Sequence, residues 1–250
     1  MLLKLIKYEF KSSAVRFMAA FGAFTVIFGI LLAFFRDHVV LLAAVFGCGL
    51  VALSVITFLT LFHRYNTNLY GNEGYLMFTL PVSGKKILLA KLISALFWSL
   101  VLGIATVIYI ALYVCVMSPK FNLFQEILKL DIKPGTLIVC IVGIFVGLIV
   151  NILEIYFAIS FSKLPVWRKF AVPAGFLVYI GANYLVSLPL AILSHVNQTS
   201  EIVIRFNSLQ LDRQDLFFSV NLYQLAFNIL FSVVFFFATA FLLERKTCLK

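Results

Sequence analysis

Glu154 is the one ionisable side chain that the sequence sets well inside a long apolar run. A carboxylate in hydrocarbon costs several kcal/mol at the bilayer centre and less toward its edge, so such a residue faces a cavity, a partner or another helix. At 1.5 Å rise per residue Glu154 stands about 9 Å before Ser160, in the inner half of its span, and Asn151 shares its face three residues earlier. The pair reads either as a polar lining for a cavity or an ion-pair contact to a basic loop, or as a protonated or snorkelling group that only fixes packing. Acid–base chemistry needs a second carboxylate or a histidine beside it. His38, His63 and His195 fall in separate connecting regions. Neither H-E-x-x-H nor G-x-S-x-G occurs, and Gly84 and Lys85 lack the upstream glycine and following hydroxyl of a phosphate loop, which excludes ATP hydrolysis by that route. Cys48, Cys115, Cys140 and Cys248 show no paired spacing and are expected as reduced packing residues. No catalytic residue and no metal site is assigned.

The second candidate region is the longest polar interruption in the first half of the chain, His63 to Lys91, HRYNTNLYGNEGYLMFTLPVSGKKILLAK. Its charges (Arg64, Glu73, Lys85, Lys86, Lys91) and turn residues place it in water, yet it also carries Tyr65, Leu69, Tyr70, Tyr75, Leu76, Met77 and Phe78. Exposed apolar clusters of this kind cover a partner or a membrane surface. Gly71 and Gly74 let the backbone turn and Pro81 stops a helix after Leu80, so two short helical pieces hinged near Asn72 are expected.

The run Tyr70 to Pro81, YGNEGYLMFTLP, followed by Lys91, resembles the cytoplasmic coupling segment of Firmicutes ABC-2 type permeases, whose pattern is close to F/Y-G-x-E-G-Y-L-x-F-T-L-P. The motif covers about a dozen residues; the likeness over the rest of the chain is a six-helix pattern. The resemblance implies that Tyr70, Asn72, Glu73, Gly74, Tyr75, Leu76, Phe78 and Pro81 rest on a separate cytoplasmic ABC ATPase. It implies that ATP and Mg belong to that partner, with no cofactor bound by this chain, and that the chain pairs with a second copy or a sister permease. The basic loop from Phe161 to Phe170, with Arg168, is a candidate second contact, although ordinary flanking charge explains it almost as well. The function implied is that of a permease subunit of an ATP-driven exporter in a bacterial cytoplasmic membrane, moving an amphipathic or hydrophobic substrate such as a toxin or antimicrobial peptide. An intramembrane enzyme, or a structural or sensory protein without an ATPase, is the alternative.

The elements that must position these residues follow from composition. The 250 residues are 63% hydrophobic and only 12% charged, with a mean hydropathy of +1.09, unlike a soluble domain. The fold class expected is an all-α integral membrane protein with six transmembrane helices, a single membrane domain over residues 1–250. The spans are predicted at about 15–35, 39–62, 87–117, 135–160, 171–193 and 220–243, each with the roughly 20 apolar residues a bilayer requires. Residues 63–86 are the coupling segment. Residues 1–14 are expected as an amphipathic interfacial helix, with Lys4, Lys7 and Lys11 toward lipid headgroups and Leu2, Leu3, Ile6 and Phe10 opposite.

The net charge of +10 is a matter of topology and not of nucleic-acid binding. With both termini on one side, 14 of the 20 Lys and Arg residues share that side, which the positive-inside rule assigns to the cytoplasm. Small residues Gly47, Gly49 and Ala52 predict close helix approach in span two. The Gly143 and Gly147 pair predicts packing within the chain in span four ahead of a dimer seam, and Tyr109 and Tyr113 are expected toward the outer interface. A short surface helix is expected between residues 118 and 134, and residues 194–219 form the longest outer loop.

Overall fold

The computed structural model describes residues 2–34, 38–70, 83–117, 134–164, 167, 170–206 and 213–245. They form six long helices: α1 (Leu2–Phe34), α2 (Val39–Tyr70), α3 (Gly84–Met117), α4 (Pro134–Ser162), α5 (Ala171–Phe206) and α6 (Arg213–Arg245). All six are long and apolar enough to cross a membrane. The chain divides into two compact units, Met1–Leu130 with α1 to α3 and Asp131–Lys250 with α4 to α6. Large apolar side chains cover their outer faces, as at Val40, Ile104, Ile144 and Leu177. A multi-pass membrane protein is the architecture that such faces suit.

Helix ends follow local chemistry. Ser83 caps α3, its carbonyl accepting from the amides of Lys86 and Ile87. Pro134 opens α4, where a missing N–H costs nothing. His38 and Phe170 supply the first carbonyls of α2 and α5, to Leu42 and Ala174.

Three boundaries differ from the sequence expectation. The amphipathic stretch is not a separate interfacial element: α1 runs unbroken through residues 14 and 15 over 33 residues, about 50 Å at 1.5 Å per residue. No glycine or proline precedes Gly22 to interrupt it. Lys7 and Lys11 are exposed and Ile6 and Phe10 partly buried, and Phe10 packs on Phe97 of α3. Helix α2 continues eight residues past Phe62 to Tyr70, because nothing from Gly49 to Tyr70 breaks a helix. Tyr65 and Leu69, expected in water, are instead 1% and 0% exposed. Much of the expected outer loop 194–219 is helical, since α5 reaches Phe206 and α6 begins at Arg213.

In the first unit the core is aromatic. Phe28, Phe46, Leu53 and Tyr109 form its centre, and Tyr113 stacks on Phe46 at 4.8 Å between ring centroids. Both tyrosines pack onto neighbouring helices, and the Tyr109 hydroxyl is 2.6 Å from Thr25 Oγ1. Gly49 permits the approach of α1 to α2: a Cβ there would lie 2.7 Å from the Phe24 ring, whereas one at Gly47 meets nothing.

Candidate functional site

Two constellations of polar side chains stand out, one in each unit. In the first, Glu9 lies at the meeting point of three helices. At 3.6 residues per turn it is half a turn away from the Lys4, Lys7 and Lys11 stripe, in the middle of the apolar face, where an acid needs a partner. It has two. Arg64 Nη2 lies 2.5 Å from one carboxylate oxygen and Lys91 Nζ 2.9 Å from the other. Arg64 Nη1 also donates to the Glu9 main-chain carbonyl at 3.0 Å. All three side chains are at least nine-tenths buried.

One turn on, Ser13 Oγ accepts from Trp98 Nε1 at 3.1 Å and donates to the same Glu9 carbonyl. Phe17 stacks on Trp98 at 4.4 Å between centroids. The register is helical throughout: residues 9, 13 and 17 on α1 face residues 91 and 98 on α3. Among the described residues one carboxylate meets two cations here. Such a cluster fixes geometry more surely than it adds stability, since desolvation offsets most of the attraction.

The second constellation is a cavity of about 500 Å³ within the second unit. Its polar lining comes from Asn151 and Glu154 on α4, Asn183 and Ser187 on α5, and Gln224 and Asn228 on α6. Each pair is three or four residues apart, the spacing that puts side chains on one helix face. Glu154 is 1% exposed, and Asn183 Nδ2 approaches its Oε2 at 3.5 Å. Asn151 donates from Nδ2 to the Gly147 carbonyl at 2.9 Å, which leaves its Oδ1 as an acceptor. Gly143 and Gly147 line the same space, and a Cβ at either would meet nothing within 4 Å. They therefore widen the cavity, and do not serve the close helix packing that their spacing suggested.

Of the expected site residues, Asn151 and Glu154 both line this cavity. Tyr70 is the last residue of α2. Asn72, Glu73, Gly74, Tyr75, Leu76, Phe78, Pro81 and Arg168 lie outside the described residues, as do the expected surface helix between 118 and 134 and the side chain of Lys4. Arg64 and Lys91 were expected in water and are buried instead, because Glu9 draws both inward. Of the cysteines, Cys48 and Cys115 are exposed on their helices and not packed, Cys140 lines the cavity, and Cys248 lies outside the described residues. Glu9, Asn183, Ser187, Gln224 and Asn228 are the functional candidates that sequence reasoning missed. The signal for Glu9 was its place opposite the lysine stripe; for the amides, it was their position within apolar runs. Among the described residues no group of three or more His, Cys, Asp or Glu side chains converges as metal ligands do. Compared with protein-family models, curated proteins and solved structures, the chain matches none.

Proposed function

We propose that the chain is the membrane-spanning permease subunit of an ATP-driven exporter, powered by a separate cytoplasmic ABC ATPase that docks on residues 70–81. The ATPase would hold the ATP and Mg, and the permease would work in a bacterial cytoplasmic membrane, with both termini inside, beside a second copy or a sister subunit. The observation that carries this reading is the Glu9 cluster. Residues 71–82 join the end of α2 to the start of α3, and Arg64 and Lys91, one to two turns from those ends, are both held by Glu9 of α1. A push on that segment would be shared by three helices instead of being lost in a loose loop. This is the mechanical property that a subunit without its own phosphate loop needs.

The segment's sequence, YGNEGYLMFTLP, adds the resemblance to ABC-2 permeases, and the Glu154 cavity offers a polar place for cargo in an apolar body. The lining of that cavity combines one carboxylate with carboxamides and a hydroxyl, a set better suited to holding a ligand than to acid–base chemistry. The test is co-purification in mild detergent from cells expressing the neighbouring genes. The expected result is an ABC ATPase recovered with the chain, whose hydrolysis falls when Glu73→Ala or Tyr75→Ala is introduced. Recovery of the intact chain alone would contradict the proposal.

A further inference from the structure

The carboxylate of Glu154 has no counter-charge in its own surroundings: among the described residues that line the cavity there is no Lys, Arg or His. The first unit handles its own buried acid in the opposite way, with two cations on Glu9. A buried carboxylate without a cation must take a proton or an external positive group. What surrounds it is a set of neutral oxygen acceptors, from Asn151, Asn183, Gln224, Asn228 and Ser187, on all three helices of the unit.

We infer that the cavity binds an organic ammonium group, with Glu154 as counter-ion and the carboxamide oxygens as its remaining hydrogen-bond acceptors. An –NH₃⁺ group carries three donors and no acceptor, which this lining can satisfy. Ile144, Val150, Val186 and Leu225 line the remainder and would cover the attached hydrocarbon. At about 500 Å³ the space is too roomy for a bare monovalent ion and falls in the range of small-molecule sites. An anion would be repelled by the carboxylate, and a neutral amphiphile would supply no counter-ion, leaving Glu154 to hold a proton instead. As a cargo site the cavity rests on the transport reading. Binding is measured without ATP or ATPase, so its failure and the failure of docking are told apart.

The test uses the full chain in neutral maltoside micelles with octylammonium as probe, and octanol and sodium chloride as comparisons. Isothermal titration should give saturable octylammonium binding, weakened about tenfold or more by Glu154→Gln and partly kept by Glu154→Asp. Should Glu154→Gln fail to fold, the wild-type chain decides. Octylammonium should slow modification of Glu154 by dicyclohexylcarbodiimide, read by peptide mass spectrometry, and octanol and sodium should not. Absence of saturable binding, unchanged affinity in a folded Glu154→Gln chain, an unchanged modification rate, or equal protection by octanol or sodium would overturn the inference.

Discussion

Arg64 holds Glu9 at two points, the carboxylate at 2.5 Å and the main-chain carbonyl at 3.0 Å, although the residues are 55 positions apart in sequence. The second bond places the α2 side chain against the backbone of α1, so the contact reports the relative position of two helices and not merely the charge of one residue. Lys91 adds α3 to the same carboxylate. The cluster therefore responds unequally to the loss of its members.

Glu9→Gln removes the carboxylate to which Arg64 and Lys91 both donate and should cost about 3–5 kcal/mol of unfolding free energy. Lys91→Met leaves the Glu9–Arg64 ion pair in place and should cost clearly less. Thermal unfolding in detergent gives the order, and the difference should persist in high salt because buried pairs are poorly screened. A larger loss for Lys91→Met would show that Glu9 is not the group that holds the cluster together.

Ser13→Ala removes the acceptor of the buried Trp98 N–H and should cost about 1–3 kcal/mol. Adding Trp98→Phe to Ser13→Ala removes the stranded donor, so the double variant should lose less than the sum of the two single losses. The double-mutant cycle measures that shortfall directly. Strict additivity would mean that the 3.1 Å contact carries no energy.

Gly49→Ala drives a methyl to 2.7 Å from a Phe24 ring that packs on Phe28 and Tyr109, so about 1–3 kcal/mol of overpacking is expected. Gly147→Ala meets open space and should leave stability unchanged or raise it by up to about 1 kcal/mol through helix propensity. Unfolding midpoints of the two variants provide the check. If both were equally destabilised, the close approach of α1 to α2 would not be the cause.

Residues 1–250 could be read as six apolar helices because a span announces itself through some twenty consecutive apolar residues, and the second to sixth helices begin within a few residues of where that pattern puts them, except α6. The ends were less legible. His63 to Tyr70 reads as polar by composition, yet it contains no helix breaker and has a face, Tyr65 and Leu69, that packs inside. Asn151 and Glu154 could be joined because both lie on one helix. Asn183 and Asn228 could not, because their meeting with Glu154 depends on the rotation of α5 and α6 about their own axes, which a single sequence does not state. Likewise, Glu9 could be seen to lie on the wrong face for a charge, but which of the chain's cations answers it is a fact of packing.

Photocrosslinking from position 75 shows whether this segment touches the ATPase. With Tyr75→p-benzoylphenylalanine in cells that co-express the neighbouring ATPase, an adduct between the 28.2 kDa chain and that ATPase is expected. The same probe at Tyr223, exposed on α6, should give none. Absence of the adduct at position 75, or labelling of a Tyr75→Cys chain by an impermeant maleimide from outside intact cells, would contradict the proposed docking.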